Sequence, residues 1–150
     1  IQFSITFPKT QYDNVDIRKY AVDDIAYRQK QHGFDINNES EDVFESPYIN
    51  PENRVTTDTV QRPVNPNFLR SASECDVIRK FAEQEGIETD TFLELGAGVG
   101  ITARCAHLML NPKKYYITDL PETLCFSFCH LNAFQKRSIY GLPAMKISIR

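Results

Sequence analysis

The residues able to do chemistry gather where a short apolar run, Thr91-Phe92-Leu93-Glu94-Leu95, meets Gly96, Gly98 and Gly100. Glycine at such a junction permits a tight turn and lets backbone amides come close to a ligand, so this loop, with Ala97 inside it, has the character of a small-molecule cradle. Glu94 stands directly ahead of it and offers a carboxylate for a cationic amino-acid group or for the loop's own amides. A second acid, Asp119, follows Gly98 by 21 residues. That is near the offset of about 20 at which an acid meets ribose hydroxyls in dinucleotide-type folds. The dinucleotide spacing itself is not met: Gly100 follows Gly98 by two residues and Ile101 holds the position of the third glycine, which disfavours NAD.

Positioning these groups calls for strand, helix, strand, helix. Thr91 to Leu95 reads as a buried strand running into the turn. Ile101, Cys105, Leu108 and Met109 form the apolar face of a helix closed by Asn111 and Pro112. Tyr115-Tyr116-Ile117-Thr118 is a second strand that delivers Asp119, and Pro121 suits the first turn of a further helix with Leu124, Phe128 and Leu131 inward. Upstream, Ser71 and Glu74 have capping-box spacing, opening a helix with Val77, Ile78, Phe81 and Ala82 on one face and Gly86 at its end. Met145, Ile147 and Ile149 alternate with Lys146, Ser148 and Arg150, the period of a third strand.

The first seventy residues differ in character. Ile17, Ala21 and Ile25 mark an amphipathic helix over 14–31 that Gly33 ends. Phe34 to Arg70 reads as an irregular connector, acidic at Glu39, Glu41, Asp42 and Glu45 and then broken by Pro47, Pro51, Pro63 and Pro66. The division expected is 1–70, helix and connector, and 71–150, the part that carries the motif.

The chain of 150 residues is 41% hydrophobic and 25% charged, ordinary for a soluble domain with a core. A formal charge of −3 gives no general attraction to nucleic acid. No apolar run approaches the roughly 20 residues of a membrane span, and a soluble, cytoplasmic protein is expected. Cys75, Cys105, Cys125 and Cys129 form no CxxC pair, which suits reduced thiols. Cys125 and Cys129 lie four apart on one helix with His130 adjacent, yet small buried hydrophobes are the simpler reading of the cysteines and no metal site is assigned. His32, His107 and His130 could each act as a base toward a hydroxyl, but a helix surface or a satisfied polar contact is the simpler reading of each and no catalytic residue is nominated. Asn38-Glu39-Ser40 matches a glycosylation sequon, inert in the cytoplasm.

The arrangement acid-x-Gly-x-Gly-x-Gly, followed by an acid at the end of the next strand, resembles class I S-adenosylmethionine-dependent methyltransferases. More narrowly, Phe92 to Gly100 together with Tyr116-Ile117-Thr118-Asp119-Leu120-Pro121-Glu122-Thr123-Leu124 is similar to the sugar O-methyltransferase family. The likeness spans roughly Ser71 to Gln135. It implies an α/β fold, the Rossmann-like doubly wound sheet of that class, here its N-terminal half. It also implies that Gly96, Ala97, Gly98 and Gly100, with Glu94 beside them, hold the methionine side of S-adenosylmethionine, that Asp119 holds the ribose, and that Leu120 lies against the adenine. The partner implied is a small-molecule acceptor, sugar-like, with a hydroxyl to be methylated.

A doubly wound sheet has strands on both sides of its first strand, and after the motif there is room for one more strand at most. Together with Ile1 as first residue, this leads us to expect a fragment of a longer protein. Otherwise the first seventy residues or a second copy in a homo-oligomer would cover the first strand's open edge. Two other functions are carried alongside methyl transfer: a truncated, non-catalytic cofactor-binding or interaction module, and a nucleotide-dependent oxidoreductase on the same fold logic.

Overall fold

The structure, a computed structural model, describes residues 14–39, 54–138 and 147–148. Glu41, Asp42, Glu45, Pro47, Pro51 and the sequon's Ser40 lie outside them, as do Met145, Lys146, Ile149 and Arg150. The chain divides into two compact units, 1–73 and 74–150, with the division falling inside one helix.

In the first unit, helix α1 covers Val15–Gln31. Asn14 caps it by accepting the Asp16 N–H at 2.8 Å, and Asp16 at its start with Arg28 and Lys30 at its end complement the helix dipole. The buried line is Arg18, Val22 and Ala26, one residue on from the expected Ile17, Ala21 and Ile25. Val22 and Ala26 make that line with Arg18, which is buried as well, while Ile17 faces outward. Gly33, at φ 77°, closes the helix, with Phe34 N–H reaching back to Gln29 O at 3.0 Å.

The segment expected to be an irregular connector is folded where it is described. Asp35 caps a short 3₁₀ turn, Ile36–Asn38. Val55 and Val64 form an antiparallel bridge around a turn in which Thr57 N–H meets Val60 O. The Arg62 guanidinium ties the two together by donating to Asn37 O at 3.0 Å and Glu39 O at 2.5 Å. Phe34, Ile36, Val55, Val60, Val64, Phe68, Leu69 and Ala72 are buried here with Val22 and Ala26, a core that a reading from prolines alone misses.

Helix α2 covers Pro66–Glu85, starting five residues before the expected Ser71. Proline fits the first turn, where its missing N–H needs no partner, and Asn65 Oδ1 accepts the Asn67 N–H at 2.9 Å. Ser71 is therefore an internal, buried residue rather than a cap. Beyond the division, Cys75, Asp76 and Ala82 are the buried side chains of this helix. The Asp76 carboxylate is held by Arg79 at 2.5 Å and Lys80 at 2.7 Å. The expected inward face fails here, since Val77, Ile78 and Phe81 are exposed.

The second unit is α/β. Strand β1 (Thr91–Leu95), helix α3 (Ile101–Leu110), strand β2 (Lys114–Thr118), helix α4 (Pro121–Ser138) and the short strand β3 (Ile147–Ser148) follow in order. The sheet order is β1-β2-β3 and both pairings are parallel, Thr91 facing Lys114, Leu95 facing Thr118, and Tyr115 facing Ile147. Asn111, at φ 48°, ends α3 in the left-handed conformation asparagine tolerates.

One face of the sheet is covered. Tyr115 and Ile117 are buried on it, and the rings of Phe92 and Tyr115 stack with centroids 5.6 Å apart. The other face is open, with Leu93 65% and Leu95 74% exposed, so β1 is not the fully buried strand its composition suggests. Among the described residues β1 is also an edge strand. No helix among them is long and apolar enough to cross a membrane.

Candidate functional site

The parallel register carries β1 and β2 to their ends side by side, and the turn 96–100 forms there against Asp119. Gly96, Gly98 and Gly100 have φ of 76°, 57° and 80°, the left-handed region that side chains disfavour. Gly96 N–H donates to Thr118 O at 2.8 Å, one step beyond the strands. Gly98 N–H donates to Asp119 Oδ2 at 2.8 Å, and Gly100 N–H to Ala97 O at 2.8 Å. The amides of Ala97 and Val99 take part in none of these bonds. Asp119 Oδ1 accepts its neighbour's Leu120 N–H at 2.7 Å, so each oxygen of this carboxylate holds one backbone amide.

The glycines serve different ends. A side-chain carbon at Gly96 or Gly98 would meet nothing within 4 Å, so the backbone there borders open space. At Gly100 it would press on Leu131 at 3.1 to 3.5 Å, so the third glycine lets α4 approach the turn. Ala97 is buried, and Leu120 is 68% exposed beside Asp119.

Glu94 points to the covered face. It accepts a hydrogen bond from Tyr115 Oη at 3.1 Å and a second from the Thr102 side chain in the first turn of α3. Burial pushes its carboxyl up; those two bonds pull it down, and the carboxylates of Glu74 and Asp119 push it up again. Glu94 thus joins β1, β2 and α3 beneath the turn. Burial, helped by Glu94, also raises the Tyr115 hydroxyl.

Three residues on α4 complete the site: Leu131, expected on the inward face, and Ser127 and His130, whose part in holding the turn sequence reasoning missed. Ser127 Oγ donates to Gly98 O at 2.5 Å, His130 Nδ1 donates to Val99 O at 2.7 Å, and Leu131 lies over Gly100. A carbonyl can only accept, which assigns the proton to Nδ1. The inward line of α4 is therefore Ser127, His130 and Leu131 instead of Leu124, Phe128 and Leu131, and Phe128 is 45% exposed. Burial pushes the His130 ring down to about 4, the Val99 bond opposing and the Arg104 charge assisting, so the ring is neutral at ordinary pH. The one signal available was spacing: Ser127, His130 and Leu131 stand at i, i+3 and i+4.

All four cysteines are free. Cys75 and Cys105 are buried, the first pushed up to about 12 and the second also raised, so both are thiols and poor nucleophiles. Cys125 and Cys129 are exposed, while His130 turns inward. Among the described residues, no group of three or more His, Cys, Asp or Glu side chains could hold a metal ion. His107 is buried and lowered by that burial, and His32 ends α1. The arrangement offers a backbone cradle beside a carboxylate, which is binding chemistry. Compared with protein-family models, with curated proteins and with solved structures, the chain matches none.

Proposed function

We propose that this chain carries the S-adenosylmethionine-binding half of a Rossmann-like class I O-methyltransferase whose acceptor is a hydroxyl of a sugar-like small molecule. The observation that carries the reading is the meeting of Asp119 with the glycine turn, 2.8 Å from Gly98 N, at the ends of adjacent parallel strands. The residues fit the group: the backbone at Gly96 and Gly98 borders open space, and a ligand could approach it closely. Gly96, Ala97 and Gly98, with Glu94 beneath them, would hold the methionine portion, Asp119 the ribose and Leu120 the adenine. When bound, the cofactor supplies an electrophilic methyl on sulfonium. The protein's part is to fix that carbon in line with the acceptor oxygen, and orientation supplies much of the acceleration. The four free thiols fit a cytoplasmic setting.

Calorimetric titration with S-adenosylmethionine tests the reading, with Asp119→Ala alongside. Saturable binding that the variant loses supports it; a folded protein that takes up no cofactor overturns it. A second reading, a cofactor-binding module without acceptor chemistry, is favoured by the open face carrying Leu93 and Leu95. Binding without transfer to any of a broad set of hydroxyl acceptors would select it.

A further inference from the structure

The turn's glycines allow its conformation but do not choose it, because glycine populates both signs of φ with similar ease. What selects one conformation is the set of bonds imposed from outside, and apart from the Arg104 N–H on Gly100 O at the start of α3 they come from one continuous stretch. Thr118 O takes the Gly96 amide and Asp119 Oδ2 takes the Gly98 amide. Ser127 Oγ then meets the Gly98 carbonyl, His130 Nδ1 meets the Val99 carbonyl, and Leu131 fills the space over Gly100. Gly98 is gripped at both its polar atoms, by the end of β2 and by α4. Ser127 and His130 are themselves buried, so both donors reach the turn from within the unit.

We infer that Ser127 and His130 are positioning residues of the glycine turn: by holding the Gly98 and Val99 carbonyls against α4, they fix the direction in which the remaining amides face a ligand. Freed of these donors, the two carbonyls would lose their partners and the turn would sample other glycine conformations. Neither residue touches the ligand side. Their effect on S-adenosylmethionine affinity rests on the function proposed above; their effect on the turn does not.

The test compares Ser127→Ala, His130→Phe and His130→Asn with the parent protein, since asparagine keeps a side-chain N–H for Val99 O and phenylalanine does not. Amide hydrogen exchange is read at Gly98 and Gly100, with Glu94 and Ile117 as references in β1 and β2. Exchange faster by about tenfold at the turn alone in Ser127→Ala and His130→Phe, restored toward the parent in His130→Asn, is expected for the loss of one net hydrogen bond. S-adenosylmethionine affinity should fall by a similar factor in the same two variants. Unchanged exchange at the turn, or equal acceleration at Glu94 and Ile117, overturns the inference. If the parent binds no S-adenosylmethionine while the turn's exchange responds as stated, the positioning role stands and the cofactor reading falls. Should His130→Phe not fold, Ser127→Ala with rescue by Ser127→Thr decides the matter by the same measurement.

Discussion

Replacing His130 by asparagine should make the protein less sensitive to acid, and the size of the effect follows from where the ring sits. Buried and bonded to Val99 O, His130 is pushed down to about 4 from an ordinary 6.5. Between those values the unfolded chain takes up a proton that the native protein refuses. The stabilisation is therefore whole above about 6.5, falls as pH is lowered through the window, and is gone below about 4. The full span corresponds to about 3 kcal/mol, and by about pH 5 roughly 2 kcal/mol of it is lost. Against a total stability of about 5–15 kcal/mol that is a large fraction. His107, lowered by burial, adds in the same direction, and Glu94, whose carboxyl burial raises, acts with the opposite sign. The difference between parent and variant cancels both. Urea unfolding of parent and His130→Asn at about pH 7, 6 and 5 gives the curves. Asparagine donates to Val99 O without titrating, so its curve should be flatter by roughly 2 kcal/mol at the acid end. Parallel curves would show that His130 titrates normally in the native protein and would refute its burial as a neutral donor.

Gly100→Ala should destabilise by about 2–3 kcal/mol in chemical denaturation, combining left-handed strain with the contact on Leu131; Gly96→Ala, which meets only the strain, should cost roughly 1–2 kcal/mol. Leu93→Lys, on the open sheet face, should change stability by no more than about 0.5 kcal/mol, and a larger loss would mean that something covers that face. Glu94→Gln keeps an acceptor for Tyr115 and removes a charge that burial disfavours; its stability relative to the parent should rise as pH climbs from the ordinary carboxyl value through the raised one of Glu94 and level off beyond, read from unfolding midpoints below and above that window.

The glycine turn was legible from sequence because its determinants are local. Three glycines, a β-prone run before them and an acid at the end of the next run each report on their own few residues, and Asn111 and Pro121 mark helix ends by backbone preference alone. The helix faces were harder. On α4 the hydropathy pattern sends Phe128 inward, but two carbonyls of a distant turn needed donors and Ser127 and His130 took the inward line to supply them. On α1 and on the later turns of α2 the buried positions are Arg18, Val22 and Ala26, and Cys75, Asp76 and Ala82, so apolar residues such as Ile17 and Phe81 lie outside them. Pro66 read as a break because proline stops a helix from within yet starts one at its first turn, and only the partner of the Asn67 amide tells the two apart. The fold of the connector depends on Arg62 reaching the carbonyls of Asn37 and Glu39, a separation in sequence that no periodicity reports.

Under the function proposed above, Asp119 would carry a double duty that a single substitution can separate. An ionised carboxylate has about four acceptor sites, and two are used by the Gly98 and Leu120 amides. Two remain, the number that a vicinal diol requires, so bracing the turn and accepting ribose hydroxyls do not compete for the same lone pairs. Asparagine breaks this arithmetic, because one of its two polar atoms is a donor. Turned so that its oxygen keeps the part-buried Gly98 N–H, the amide sets its N–H₂ group against the exposed Leu120 N–H, so one hydrogen bond is lost at a cost of about 0.5–1.5 kcal/mol. Asp119→Asn should therefore lower the urea midpoint by that amount with no ligand present, and should weaken S-adenosylmethionine binding further through lost acceptors. A variant as stable as the parent would show that the Leu120 amide bond contributes nothing to stability. One that is less stable but binds with parental affinity would leave the brace intact as an explanation and remove Asp119 from the ligand.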